Sequence, residues 1–257
     1  MEIADEGSGR PILVVHGGMG DLSSWRKVTE RLRGRFRTIR VHRRQYRLDM
    51  PRKVTMADEV AETNTVVERS IIVGHSSGAV LALEALVADP GRYTAAVLYE
   101  PPVVIDRPLG GDRVVRARAA LAAGRPGDAW AIFMREIAGL WNPIFALARF
   151  TINRNRTIAP LIERQLDDND AIDELGNRLD VYRTIDVPVL LIAGERSPRH
   201  LLDRLDALQA VLPRARRVTL PGEGHTAERS APAKLAEAIA EFAESLESGD
   251  PPSRPDA

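Results

Sequence analysis

Along most of the chain, short apolar runs alternate with segments whose apolar positions recur with helical spacing. "RPILVVHGG" reads as a buried strand ending at Gly17 and Gly18, and "LSSWRKVTERLRG" follows as a helix closed by Gly34. "FRTIRVH" is a second strand and "MADEVAETNTVVERS" a helix. "SIIVGHS" is a third core strand, "GAVLALEALVADPG" a helix stopped by Pro90-Gly91, and "TAAVLYE" another strand. After Pro101-Pro102 the alternation stops. From Val103 to Ile185 the spacing is helical, as in "GDRVVRARAALAAG", "GDAWAIFMREIAGLW" and "PLIERQLDDNDAIDEL". It resumes with the strand "VPVLLIAG", the helix "RHLLDRLDALQAVLP", the strand "RARRVTLPG" and the helix "AKLAEAIAEFAESLE".

Strand–helix alternation is the mark of an α/β fold with a mostly parallel sheet covered on both faces. The pattern therefore predicts a core over 1–102 and 186–247, split by a helical insertion over 103–185. The tail, 248–257, is too polar and Pro-rich to be expected to order. The large apolar residues of the insertion, Trp130, Phe133, Met134, Trp141, Phe145 and Phe150, are expected to fill its own core. They are also placed to cover a pocket at the strand ends, where open parallel sheets bind ligands.

Composition narrows the chemistry. Lys+Arg and Asp+Glu both number 36, so no net field draws the chain to nucleic acid or an anionic membrane. The chain has no cysteine, which removes disulfides, thiolate zinc sites and cysteine nucleophiles together. No signal-peptide core or membrane-length apolar run is present, so a cytoplasmic location is the default expectation. "HGGMGD" lacks the G-x-G-x-x-G spacing, and no metal-ligand cluster or phosphate loop stands out. The expectation is a small-molecule substrate, with no cofactor and no metal. Oligomeric state is not legible.

The residues Gly74-His75-Ser76-Ser77-Gly78 match G-x-S-x-G between a core strand and a helix. Glycines two before and two after the central serine remove side chains that would collide in so tight a turn. The turn raises the Ser76 hydroxyl above the sheet edge and aims the helix N-terminus at the site of developing negative charge.

With "VVHGGMGDLSSW", "GHSSG", "PVLLIAGERSP" and "LPGEGH" in that order, the chain resembles the α/β-hydrolase superfamily from about Ile3 to Leu246. The resemblance implies an eight-stranded, mostly parallel sheet, a cap formed by the insertion, a Ser-acid-His triad and an oxyanion hole. It makes Ser76 the nucleophile and assigns the oxyanion hole to the backbone amides of Gly18 and Ser77. Of the five histidines, His225 in "LPGEGHTAE" follows the last strand and is placed to act as base. His16 is expected to brace the glycine loop, with Met19 projecting toward the pocket. His75 should point away from its neighbour Ser76, and His42 and His200 read as surface or bracing residues.

The acid departs from the pattern. Its usual place in the family corresponds to Ser197, which cannot stabilise an imidazolium by charge. The first alternative is Glu100, ending "TAAVLYE", with Pro101 expected to hold it extended. Glu195 is the second, and a Ser-His dyad without acid the third. In "VHRRQYRLD", Arg43 and Arg44 read as solvated surface arginines bordering the site.

These residues predict a serine hydrolase acting on an ester, thioester or lactone of a small to medium, partly apolar substrate. Carbon–carbon cleavage beside a carbonyl is feasible with the same parts. A serine at the elbow argues against the Asp-nucleophile chemistry of haloalkane dehalogenases and epoxide hydrolases. The fold also hosts lyases, cyclases, cofactor-free perhydrolases and ligand-binding proteins without turnover, so the alternative reading is one of these.

Overall fold

Seven strands form a single sheet in a computed structural model that describes residues 1–52, 54–140 and 144–246. They are β1 (Glu2–Glu6), β2 (Pro11–Val15), β3 (Arg37–His42), β4 (Ser70–His75), β5 (Tyr93–Tyr99), β6 (Val189–Gly194) and β7 (Ala215–Leu220). Their spatial order is β1-β3-β2-β4-β5-β6-β7, and every neighbouring pair is parallel except β1 with β3. The strands expected from the sequence are the six parallel strands. β4 and β6 are buried along their whole length, as a sheet with two covered faces requires.

The sheet has seven strands among the described residues, not the eight the resemblance implied, because a single strand precedes β2. That strand, β1, carries "EIADE" and pairs with β3 from Glu2↔His42 to Glu6↔Thr38. It is a charged edge strand of the kind that discourages further pairing, so no apolar run announces it.

Side chains alternate across the sheet. Ile12 and Val14 of β2 join the cluster beneath α1 (Arg26–Leu32), while Leu13 and Val15 face α2 (Met56–Thr63) and α3 (Ser77–Ala88). The insertion between β5 and β6 contains α4 (Asp112–Ala122), α5 (Pro126–Ile132), a π-helical turn (Phe133–Ile137), α6 (Ile144–Arg154), α7 (Ala159–Leu175) and α8 (Leu179–Tyr182). It has no strand among the described residues. After β6 come α9 (Arg199–Val211), then α10 (Ala227–Ser230) and α11 (Pro232–Ser245), the last packing beside α1.

The insertion has its own apolar cluster, built on Val114, Ala117, Ala129, Ile162 and Leu166, with Trp130 and Phe133 packed against it. Trp130 meets Phe145 edge to face with centroids 5.0 Å apart. Phe150 departs from expectation: it is 61% exposed, under the Arg154 guanidinium. Trp141 and the tail over 248–257 lie outside the described residues. Where the insertion returns to the core, Tyr182 Oη and Arg178 Nε both donate to Glu84 Oε1 of α3 at 2.8 Å.

The bend between β4 and α3 is closely packed against backbone. A Cβ on Gly74 would stand 2.5 Å from Ala79 Cα, and one on Gly78 2.3 Å from the His16 carbonyl oxygen. Both neighbours are backbone and cannot swing aside, which is why this bend takes glycine at both places. We expect Gly78→Ala to cost about 1–3 kcal/mol in urea unfolding. Gly34→Ala, with open space around it, should change stability by less than about 0.5 kcal/mol. Equal effects would show that the bend is not the constraint described.

Candidate active site

Ser76 sits at the bend with φ +53° and ψ −127°. That left-handed conformation costs a non-glycine residue about 1–3 kcal/mol and persists only where its surroundings enforce it. Here its N–H donates to the Tyr99 carbonyl at 2.8 Å, fixing the bend against the tip of β5. Ser76, Ser77 and His225 line one narrow pocket of about 50 Å³, whose apolar wall includes Leu109, Phe133 and Ile137. A wider cleft of about 650 Å³ adjoins it and shares Leu109, Ile137 and His200 with it.

His225 reaches this pocket from the loop after β7. Its Nδ1 donates to Glu100 Oε2 at 2.6 Å, and the backbone N–H of Gly194 donates to Glu100 Oε1 at 2.6 Å. Glu100 has no exposed surface, so these two donors replace its lost hydration. The structure thus brings Ser76 and His225 to one pocket with Glu100 behind His225, but the conformation of Glu100 differs from expectation. It is not extended: φ is +47°. A left-handed residue at the strand end turns the carboxylate back beneath His225, overriding the preference imposed by Pro101. Glu195 lies apart from the site, its Oε2 accepting from Gly222 N–H at 2.6 Å. Ser197 is buried, and its hydroxyl has no hydrogen-bond partner among the described residues.

The His225 loop is pinned from below. The Tyr99 hydroxyl donates to the Gly224 carbonyl and accepts from Ala227 N–H at 3.2 Å. His75 stacks on Tyr99 at 4.8 Å and donates from Nε2 to the His225 carbonyl at 2.9 Å. The residue before the serine therefore turns away from the pocket and holds the loop that carries His225. Burial, reinforced by the nearby His225, pushes the His75 pKa well below its ordinary value.

His16 braces the glycine loop as expected. Its Nδ1 donates to the Gly17 carbonyl at 2.7 Å, and its Nε2 accepts from Arg43 N–H at 3.1 Å. Burial, with the neighbouring Arg43 charge, lowers its pKa to about 3. Gly18 packs against the Gln165 amide of α7, whose Oε1 lies 1.8 Å from where a Cβ on residue 18 would stand. Met19 does not project into the pocket; it packs on the insertion's apolar cluster. His200 braces as expected, with Nε2 donating to the Ala138 carbonyl at 3.0 Å, yet it also lines the pocket.

Arg43 overturns its surface assignment, being 0% exposed. Its guanidinium joins three elements. It donates from Nη2 to Glu59 Oε2 of α2 at 2.5 Å, from Nη2 to Asp168 Oδ1 of α7 at 2.8 Å, and from Nη1 to Ser77 Oγ of α3 at 2.8 Å. The Ser77 hydroxyl also hydrogen-bonds Asp168, as does Tyr46 Oη at 2.6 Å. Burial alone would raise the Asp168 pKa, but Arg43 and the hydroxyls of Tyr46 and Ser77 bring it below the ordinary value. Burial raises that of Glu59 despite the same guanidinium. Sequence spacing gave no sign of this cluster, because its members lie on separate elements.

No group of three or more potential metal ligands occurs among the described residues, nor does any helix long and apolar enough to cross a membrane. The family described as "Alpha/beta hydrolase family" matches residues 12–238. An α/β hydrolase from Sphaerobacter thermophilus is 27% identical, with TM-score 0.77 over 94% of this chain and 95% of that one. A thermophilic esterase from Thermogutta terrifontis is 21% identical, with TM-score 0.74 over 95% and 93%. A meta-cleavage product hydrolase is 18% identical, with TM-score 0.69 over 95% and 94%. No curated protein matches the sequence significantly.

Because His16 and His75 are neutral in the folded chain, each takes up a proton on unfolding below its ordinary pKa of 6.5. Their contribution to stability is complete above that value and is lost as pH falls, for His16 down to about 3. Urea unfolding should show stability dropping from about pH 6.5 to about pH 5, with a limiting slope near 1.4 kcal/mol per unit for each histidine. A flat profile would contradict the burial of both rings. Arg43→Met should cost about 3–5 kcal/mol at neutral pH, since Glu59 and Asp168 would face each other without a cation. The folded pKa of Asp168 would then rise above its unfolded value and that of Glu59, already raised, would rise further, so the deficit should shrink toward about pH 4. A small, pH-independent loss in the same unfolding assay would contradict the buried cluster.

Proposed function

The chain belongs to the alpha/beta hydrolase family, and from that premise we propose that it is a serine hydrolase cleaving an ester, thioester or lactone bond. The observation that carries this reading is the 2.6 Å hydrogen bond from His225 Nδ1 to the buried carboxylate of Glu100. It leaves Nε2 unprotonated, in the tautomer a general base needs. That Ser76 lines the same pocket as His225 is the second support.

In this mechanism Ser76 Oγ adds to the substrate carbonyl carbon as its proton passes to His225 Nε2. The carbonyl becomes an oxyanion held by the N–H groups of Gly18 and Ser77. Collapse breaks the bond to the leaving group, which departs with the proton from His225 and leaves an acyl group on Ser76. Water then adds to the acyl carbon, again giving a proton to His225. The second collapse releases the acid and returns the proton to Ser76 Oγ. Glu100 stays ionised throughout and stabilises the imidazolium formed twice in the cycle.

The insertion acts as a cap. Phe133 and Ile137 close the acyl pocket, while the adjoining cleft takes the larger part of a small to medium substrate. The serine at position 197 does not weaken the reading, since Glu100 supplies the acid from the neighbouring strand.

Ser76→Ala should abolish p-nitrophenyl ester turnover and labelling by a fluorophosphonate probe. Glu100→Gln should lower kcat by about 10²–10⁴-fold, since the imidazolium loses its counter-charge and the base its tautomer. Glu195→Gln should stay close to wild type. Wild-type kcat in Glu100→Gln would remove Glu100 from the mechanism, and unchanged labelling in Ser76→Ala would remove the nucleophile.

A further inference from the structure

Two side chains of the pocket have no part in the mechanism above. Gln165 and Asn169 stand four residues apart on α7 and therefore share a helix face. Both are nearly buried, 5% and 4% exposed, and both line the pocket with Ser76. Their partners decide which end of each amide faces that pocket.

Asn169 Nδ2 donates to Asp173 Oδ2 at 3.1 Å. The same carboxylate accepts from the N–H groups of Leu109 at 2.5 Å and Gly110 at 2.9 Å, so it serves as an acceptor only. This bond takes one N–H of Asn169 and fixes the orientation of its amide, so that Oδ1 is left without a donor among the described residues.

For Gln165 the argument runs through Tyr46. Gln165 Oε1 and Asp168 Oδ2 stand 3.0 and 2.6 Å from the Tyr46 hydroxyl, two acceptors for one proton. Asp168 has the shorter contact and, held by Arg43, is ionised, so it takes the proton. Turning the Gln165 amide over, as its nearly indistinguishable ends allow, lets Nε2 donate to the hydroxyl oxygen instead. The free end of Gln165 is then also a carbonyl oxygen. Two carbonyl oxygens accordingly face the pocket without a donor among the described residues, and no carboxylate lines it.

We propose that Gln165 and Asn169 select substrates with a neutral hydrogen-bond donor, a hydroxyl or an amide N–H, within a few bonds of the carbonyl that Ser76 attacks. The proposal rests on the hydrolase reading and specifies its substrate class. A bound donor satisfies these acceptors once substrate fills the pocket and excludes water, whereas a purely aliphatic acyl group leaves them unpaired. An ammonium group would enter without a counter-charge.

The test compares p-nitrophenyl butanoate with p-nitrophenyl 2-hydroxybutanoate and 3-hydroxybutanoate, each enantiomer separately, with rates normalised to alkaline hydrolysis. The expected result is a kcat/KM about tenfold or more higher for at least one hydroxylated ester. In Gln165→Met and Asn169→Leu that ratio should fall toward one. An independent readout needs no variant: the matching hydroxybutanoate should inhibit the wild-type enzyme more strongly than butanoate. Butanoate turned over as well as every hydroxylated ester would overturn the proposal, as would a preference that survives in both variants. Failure of the hydrolase reading looks different: no ester is cleaved and no fluorophosphonate labels Ser76.

Discussion

A carboxylate with no exposed surface must find its hydrogen bonds inside the protein, and the site is arranged around how Glu100 does so. One oxygen takes the backbone N–H of Gly194 at the end of β6, and the other takes Nδ1 of His225. The carboxylate thereby joins the tip of β5, the tip of β6 and the loop after β7. Three adjacent segments of the sheet meet on one anion, and the imidazole has little freedom to leave. Tyr99 and His75 secure the same loop from beneath through its backbone. His225 is held at its ring by charge and at its carbonyl by a neighbouring imidazole.

The buried guanidinium of Arg43 does for the insertion what Glu100 does for the loop. It ties α7 to α2 and to the first residue of α3, whose backbone amide we assign to the oxyanion. A buried ion cluster of this kind adds little net stability over an apolar packing, but breaking it is costly. Its value is positional. Tyr46, held by Asp168, in turn orients the Gln165 amide, so charge packed outside the pocket determines what the pocket presents.

The parts of this structure legible in the sequence are those that depend on local spacing. Four of the six parallel strands, β2, β4, β5 and β6, are apolar runs with glycine or proline close by, and the bend at Ser76 declares itself through Gly74 and Gly78. His225 was legible from its place after the last strand, and Glu100 from the end of "TAAVLYE" once Ser197 stood where a carboxylate is usual. What could not be read depends on contacts between distant segments. Arg43 in "VHRRQY" looks like any solvated arginine, because nothing nearby reveals that Glu59 and Asp168 will close around it. Gln165 and Asn169 sit in a helix rich in polar residues, where burial follows only from how α7 lies across the core. β1 was missed because a charged edge strand carries no apolar signature, and the left-handed turn at Glu100 because a tertiary demand overrode a local preference.

The pocket lined by Ser76 is lined also by Phe133 and Ile137, the two ends of the π-helical turn that follows α5. Such a turn is an α-helix holding one residue too many. Deleting one residue there would restore ordinary winding and change which side chains the turn presents to the pocket. α4 and α5, upstream of the turn, would keep their packing against each other. Chain length at this point is therefore a dial on cavity shape that leaves the serine, the histidine and the sheet untouched, and it offers descendants of this fold a route to new ligands by indel rather than by substitution.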